Sequence, residues 1–517
     1  MNALVSIIPI LLLFVLMLGF KMAGHKSAFI TLIVTVLLAL FVAPAMGFAP
    51  ENFQMAGVGW AFIEGVLKAV FPILIIILMA IFSYNVLLES KQIEVIKDQF
   101  TSFTDDKGIL VLMMVWGFGG LLEGMAGFGT AVAIPAAILI GLGFKPMFSA
   151  LVALIGNTVA TGFGAVGVPV TTLCNEVAEG GVATPEAIRE ISSFAVIQLA
   201  PLFVLLPFII LMLTDHSKKA LVKNILLSLW VGLISLGVQF LCGKYLGAET
   251  PAIIGSIAAI IAIIIYAKLF TKKAEKKEHK KSYTAAETFR AWSVYLFILI
   301  FILLSGALCP PINKFLNSHL VSVVHLPIVG STIKFGWISN AGLMLFLGAV
   351  IGGLIQGVSF GTLMKVLAKT VVNLRNTVIT IISLISLASV MNYAGMIAAI
   401  ATGLVALTGS FYPFFAPLIG AIGTFVTGSD TSSNILFAKL QANVAGQLGY
   451  APGSETNWLV AANTTGATGG KMISPQSIAI ATASCDMQGK DGDILKQALP
   501  YAVLYVLLGG LMVLLAA

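Results

Sequence analysis

Long apolar runs alternate with short polar stretches from one end of the chain to the other. "SIIPILLLFVLMLGF", "SAFITLIVTVLLALFVA", "VFPILIIILMAIF", "FAVIQLAPLFVLLPFIILML" and "AIIGSIAAIIAIIIYAKLF" approach or exceed the length at which a helix crosses hydrocarbon, about 20 residues. A soluble core helix accounts for one short run, not for so many, and the pattern predicts a polytopic membrane protein. Composition agrees: 59% of the 517 residues are hydrophobic and only 10% charged, against about 25% charged in a soluble domain.

The polar stretches set a topology. No Lys or Arg precedes the first run, while Lys21 and Lys26 follow it, so it reads as a first spanning helix with its N-terminus outside, not as a cleaved signal peptide. "DHSKKALVK" at 215–223 and "KKAEKKEHKK" at 272–281 are the densest basic loops, and the positive-inside rule puts both in the cytoplasm. They account for much of the net charge of +7, which therefore speaks for anionic lipid, not nucleic acid. "KQIEVIKDQFTSFTDDK" at 91–107 is amphipathic and is expected along the cytoplasmic interface. The stretch at 174–190, with Glu176, Glu179, Glu186 and Glu190, is expected as an outside loop. Alternation places 310–331 outside as an interfacial segment, and both termini outside.

A duplication lies inside this pattern. "GNTVATGFGAVGVP" at 156–169 and "ANTTGATGGKMISP" at 462–475 align at a constant offset of 306 residues, and "LGFKP" at 142–146 matches "LGYAP" at 448–452 at the same offset. Lys145 stands in one loop and Glu455 follows the other, which opposite orientation of the two copies predicts. The expected fold is all-α, with about 12–16 membrane segments in two inverted-topology repeats containing broken or re-entrant helices, a plan that recurs in secondary transporters. Four regions follow: N-terminal helices at 1–57, a first repeat at 58–213, connecting helices at 214–357 with the basic loop 271–282, and a second repeat at 358–517.

Each copy sets an Asn-Thr step before helix breakers: Gly162, Gly164 and Pro169 in the first, Gly469, Gly470 and Pro475 in the second. Irregular backbone at membrane depth is tolerated only where protein or a water-filled cavity supplies partners, and a half-helix N-terminus favours an anion. Two such breaks facing each other predict a small carboxylate site. Candidates to line it are Asn157, Thr158, Thr161, Ser432, Ser433, Asn463, Thr464 and Thr465, with Lys471 as counter-charge. The alternative is that the small residues only let helices pack closely. Glu123 and Asp430 lie beside the breaks, and intramembrane carboxylates default to functional roles; either could carry a coupling proton. An internal Asp430–Lys471 ion pair that merely orders the core is the plainer reading. Lys439 and Arg375 are further charged candidates, the latter as an end anchor. Glu64, Lys68, His25, His216, His279, His319 and His325 read as interface or loop residues.

Several chemistries are excluded. There is no GxxxxGK[ST] or dinucleotide fingerprint, and Cys174, Cys242, Cys309 and Cys485 lie far apart without CxxC spacing, so neither a metal site nor a disulfide framework is indicated. No catalytic cluster supports an enzyme, and no cofactor is called for.

The stretch "GFGGLLEGMAGFGTAVAIPAAILIGLGFKPMFSALVALIGNTVATGFGAVGVPV" at 117–170 resembles the L-lactate permease family, as do "GSDTSSNILFAKLQ" at 428–441 and "AANTTGATGGKMISPQSIAIA" at 461–481. The resemblance implies a carrier of the bacterial plasma (inner) membrane that imports L-lactate, with D-lactate or glycolate, together with a proton. It also implies kinship with anion carriers in which Ser-Asn-Thr steps line substrate and sodium sites. Here Gly156 and Ala462 stand where that Ser would be, which counts against a sodium site. Elevator-like movement of one bundle against a scaffold is implied by analogy alone, and a homodimer is left open. The expected partners are thus a small monocarboxylate, a proton and the bilayer. Competing expectations are sodium-coupled import of a di- or tricarboxylate and, from another class, an anion channel.

Overall fold

The computed structural model describes all residues except 1, 21, 48–54, 102–103, 105, 128, 271–282, 307–308, 488–489 and 517. The basic loop 271–282 thus lies outside the described residues. The first half holds α1 (Asn2–Met17), α2 (Gly24–Ala45), α3 (Met55–Glu89, bent at Phe71), α4 (Gln92–Thr101), α5 (Lys107–Met125), α6 (Thr130–Gly141), α7 (Pro146–Gly156), α8 (Gly164–Val177), α9 (Pro185–Gln198) and α10 (Ala200–Thr214). Connecting helices are α11 (Lys218–Tyr245), α12 (Pro251–Phe270), α13 (Ala285–Ser305), α14 (Pro310–Ser318) and α15 (Ala341–Ile355). Then come α16 (Phe360–Asn373), α17 (Arg375–Tyr393), α18 (Met396–Thr408), α19 (Tyr412–Thr427), α20 (Asp430–Gln447), α21 (Ser454–Lys471), α22 (Pro475–Ser484) and α23 (Asp491–Leu515).

Among the described residues nine helices are long and apolar enough to cross a membrane, or eleven when the bent pairs α7–α8 and α9–α10 each count as one span. The fold is that of a polytopic helical membrane protein with broken helices. One feature departs from all-α: the segment expected at the interface carries α14 and an antiparallel hairpin, β1 (Val321–His325) against β2 (Thr332–Gly336), with Val323 opposite Lys334.

The helices form layers. α3 packs between α15 and α17, and α17 also covers α2; α19, α20, α21 and α23 form a second cluster around α21. The halves interleave: α6 packs on α22, α8 on α20, α9 on α21, and α23 on α7.

The two motif copies fold differently. In the first, α7 ends at Gly156, a 3-10 turn covers Val159–Phe163, and Ala165, Val166 and Gly167 take φ of 44°, 59° and 75° before the helix resumes. Left-handed backbone at a β-branched residue such as Val166 is sterically costly. In the second, α21 runs unbroken through Asn463, Thr464, Gly469 and Gly470 to Lys471. The break expected at Gly469 and Gly470 falls instead at 472–474, just before Pro475, whose missing N–H suits the first turn of α22. Close packing accounts for those glycines. A Cβ at Gly466 would strike the carbonyl of Pro417, one at Gly470 the backbone of Ala421, and one at Gly469 the ring of Tyr505. α19 and α21 therefore touch backbone to backbone, as small residues permit in membranes.

Adding one methyl along this contact should be felt strongly. Gly466→Ala and Gly470→Ala should each cost about 1–3 kcal/mol through overpacking, seen as a lowered unfolding temperature of the detergent-purified protein. Gly446→Ala, with nothing within 4 Å of the new methyl, should leave it unchanged.

Candidate functional site

A cavity of about 440 Å³ lies where the helix interruptions meet. Gly127 and Gly129 at the start of α6, Gly164 and Ala165 at the start of α8, Gly428 to Ser432 at the start of α20, and Pro475 to Ser477 at the start of α22 all line it. Four helix N-termini therefore converge on one space. Each has backbone N–H groups without intrahelical partners, and their dipoles together favour negative charge there.

Local sequence explains the geometry. "GFGT" lets the chain turn through Gly127 at φ +62° and Gly129 at φ +84°, conformations that cost glycine little. At the matching turn of the second half, Gly428 takes φ +73° and the Ser429 hydroxyl caps α20 by accepting from Ser432 N at 3.3 Å. Ser474 caps α22 in the same way, accepting from Ser477 N at 3.2 Å.

Besides His25, three ionisable groups line the cavity. Lys471 at the end of α21 donates to Glu123 Oε1 at 2.9 Å, joining the last turn of α5 to the second half. Glu123 Oε2 has no hydrogen-bond partner. Asp430, in the first turn of α20, is 2% exposed and neither of its carboxylate oxygens has one. Lys471 thus pairs with Glu123, not with Asp430 as the plainer reading expected. Gly164 is fixed by the same contact, because a Cβ there would sit 2.7 Å from Glu123 Oε1.

Of the residues singled out in the sequence, the cavity gathers Glu123, Thr161, Gly164, Pro169, Asp430, Ser432, Lys471 and Pro475. Asn157, Thr158, Gly162, Ser433, Asn463, Thr464, Thr465, Gly469 and Gly470 stand behind its wall. Asn463 donates to Asn434 Oδ1 at 2.9 Å and accepts from Gln441 at 3.2 Å. Asn434 in turn donates to Thr464 at 3.2 Å and to the Pro169 carbonyl at 2.9 Å, tying α20 to α21 and α8. Thr465 donates to Gln198 on α9 at 2.8 Å, and Ser433 to the Gly420 carbonyl at 2.7 Å. Thr158 donates to the carbonyl of Ile155 at 2.9 Å, whereas the buried Asn157 amide has no partner on either atom.

Sequence reasoning missed the other wall. His25, read as an interface or loop residue, lines the cavity, as do Asn376, Thr377 and Thr380 of α17, Ser429, and Gln476 and Ser477 of α22. The signals were present: "GSDTSS" and "ISPQS" are helix starts with a capping Ser, and Asn376 and Thr380 are one turn apart.

Glu64 and Lys68 were misplaced. They are buried in α3, 1% and 7% exposed, and pair at 2.9 Å. Glu176, expected in an outside loop, is buried in α8 and pairs with Lys439 at 3.5 Å. An i,i+4 pair in an otherwise apolar helix reads as a solvated face when its surroundings are unknown.

A multi-pass helical membrane protein whose discontinuous helices aim their N-termini at one charged cavity has the build of a secondary transporter. The chain belongs to the L-lactate permease family, whose model matches residues 2–517; it is a permease and not an enzyme. It is 39% identical over 452 residues to the L-lactate permease of Streptococcus iniae, covering 87% of this chain and 92% of that one. It is 33% identical to the glycolate permease GlcA of Escherichia coli, covering 100% and 96% of the two chains, and 30% identical to the L-lactate permease of the same species over the same shares. The fold is shared with the YdaH transporter of Alcanivorax borkumensis (TM-score 0.52, 15% identity, 94% of this chain and 98% of that one). It is shared too with MtrF of Neisseria gonorrhoeae (TM-score 0.52, 16% identity, 94% of both).

Removing one member of a buried ion pair strands the other, at a cost of about 3–5 kcal/mol. Lys471→Met should therefore lower the unfolding temperature markedly, and the double substitution Glu123→Gln with Lys471→Met should recover most of the loss. A double variant no more stable than the single would show that Lys471 does not compensate Glu123.

Proposed function

We propose that the chain imports L-lactate, with D-lactate and glycolate as further substrates, by proton symport across the bacterial plasma membrane. The observation that carries this reading is the cavity itself: four helix N-termini around Glu123, Asp430 and Lys471. The names of the relatives, L-lactate permease and glycolate permease, support the substrate class.

Charge balance supports the coupling. With Lys471 matched by Glu123, Asp430 is the unmatched charge, and a substrate carboxylate entering beside it would be repelled in a poorly screened site. A proton on Asp430 removes that repulsion, so anion and proton bind together. Lys471 and the N-termini of α20 and α22 receive the carboxylate, while Ser432 and Thr161 stand within the wall to meet a 2-hydroxyl group. Lys471 is the one Lys or Arg on the cavity wall among the described residues, which fits one carboxylate and disfavours two or three. Glycolate and lactate differ by a methyl group, worth only about 1–3 kcal/mol in an apolar pocket, so both are accommodated.

Asn157, Thr158, Asn463, Thr464 and Thr465 become positioning residues in this reading, holding the breaks from behind. The interleaved packing of α6 on α22 and α8 on α20 supports reading the halves as an inverted repeat. The cavity mouth at His25 and Asn376 lies beside Lys26 and Arg375, both on the side the charge pattern assigns to the cytoplasm, so the cavity opens inward.

In liposomes containing the purified protein, an inward proton gradient without sodium should drive lactate accumulation that a protonophore abolishes and a potassium diffusion potential leaves unchanged. Uptake that waits for sodium would overturn proton coupling, and flux without counterflow would point to a channel. Asp430→Asn should lose at least 10-fold of gradient-driven accumulation yet keep lactate–lactate exchange; retained accumulation would remove Asp430 from the mechanism.

A further inference from the structure

The second charged cluster lies away from the cavity, and its arrangement is specific. Glu64 and Lys68 belong to α3, and the hydroxyl of Tyr393 at the end of α17 donates to Glu64 Oε1 at 3.2 Å. Glu176 belongs to α8 and Lys439 to α20, and Lys439 Nζ lies 5.9 Å from the centre of the Tyr393 ring. Helices α3 and α17 pack on each other, and so do α8 and α20. Each packing unit thus carries one Glu–Lys pair of zero net charge. The two pairs lie within electrostatic reach of each other: Lys68 is drawn to Glu176, and Lys439 feels both the attraction of Glu64 and the repulsion of Lys68.

Position matters as much as charge. α8 and α20 both begin at the cavity; Lys439 follows Asp430 by nine residues of helix, about 14 Å at 1.5 Å per residue, and Glu176 lies in the last turn of α8, twelve residues beyond Gly164. The cluster therefore lies beyond the cavity along both helices, at the last turn of α8 and midway along α20. The turn Glu179–Gly181 covers it, so that a Cβ on Gly181 would collide with the Lys68 side chain.

Four buried charges are a poor way to glue two helix pairs together if the contact is permanent, because well-packed apolar residues do as well or better, and charge inside a membrane protein is costly. The arrangement makes sense for a contact that opens. When the units separate, each Glu keeps its own Lys and no charge is stranded; when they close, the attraction of Lys68 to Glu176 returns. Glu64 Oε2, buried without a hydrogen-bond partner, fits a network not built for one state alone.

We propose that Glu64, Lys68, Glu176 and Lys439 form the gate that seals the transport path on the side away from the cavity mouth. The gate holds α3–α17 against α8–α20 while the cavity is open at His25 and Asn376, and it parts when the site faces the other way. This rests on reading the cavity as the substrate site.

The test uses the full chain carrying Val168→Cys on the cavity wall, in right-side-out and inside-out membrane vesicles, with a membrane-impermeant maleimide as the probe. Chains without this cysteine give the background from the native thiols. The double variants Glu64→Gln with Lys68→Gln, and Glu176→Gln with Lys439→Gln, each remove one neutral pair and strand no charge. Both should bind lactate within about 3-fold of the parent, read as ligand-dependent thermal stabilisation in detergent. Labelling from the side opposite the mouth should rise several-fold, and labelling from the mouth side should fall. Single variants, which strand a charge, should be less stable than either double. Unchanged labelling in both doubles overturns the gate, and so does loss of lactate binding in a double, since the cluster would then belong to the site's own support. Lys471→Gln separates the two readings: if it keeps lactate binding, the cavity assignment fails whatever the doubles do.

Discussion

The structure depends on a constraint of the bilayer: backbone N–H and C=O groups at membrane depth must find partners, so a helix can be interrupted only where protein or water supplies them. Here the interruptions at Gly127–Gly129, Asn157–Gly167, Gly428–Ser429 and 472–474 are not scattered. They converge, and the cavity at their meeting point is the consequence. Helix starts turned inward concentrate positive potential, which in turn makes the buried carboxylates of Glu123 and Asp430 tolerable. In the proposed reading, anion affinity and helix breakage thus share one cause.

The charges follow a second economy. Glu123 with Lys471, Glu64 with Lys68 and Glu176 with Lys439 are each matched within 2.9 to 3.5 Å. Asp430 is the cavity group left without such a match, beside an unpartnered Thr424 hydroxyl. In the proposed reading, Asp430 is the cavity carboxylate whose charge can vary without stranding a lysine. That is the condition a proton-coupled anion carrier must meet, since binding the anion has to change the protonation preference of a nearby group, and a fully paired carboxylate would not respond.

Much of this was legible in the sequence, for reasons that particular residues make clear. Spanning helices declare themselves by length and hydropathy, and Glu123, Asp430 and Lys471 stood out because charge is rare in such surroundings. The kind of break did not declare itself. Gly162 and Gly164 flank a true interruption, whereas Gly466, Gly469 and Gly470 sit in an unbroken helix because Pro417, Ala421 and Tyr505 press against them. Both uses of glycine look alike in one dimension, and only the neighbour tells them apart. Glu64, Lys68 and Glu176 were misjudged for a like reason: the first two read as an exposed i,i+4 pair until the helices that bury them are seen, and the partner of Glu176, Lys439, comes from a helix hundreds of residues away.

The two copies of the Asn-Thr step show how one motif divides its labour. Asn463 is held on both sides by Asn434 and Gln441, and the second-half breaks end in serine caps. Asn157 has no partner, and the break after it passes through two non-glycine residues at positive φ, Ala165 and Val166. Such conformations cost about 1–3 kcal/mol each and persist only when the surroundings enforce them. The second half therefore supplies a wall whose Asn-Thr step is hydrogen-bonded, and the first half holds the strained backbone against it. Because Thr161 and Gly164 lie on that strained segment and Gly164 abuts Glu123, any change in the ion pair with Lys471 acts directly on the least satisfied stretch of backbone in the cavity. The coupling between charge and shape is then local, within a few residues of the Glu123–Lys471 pair, and needs no long pathway to carry it.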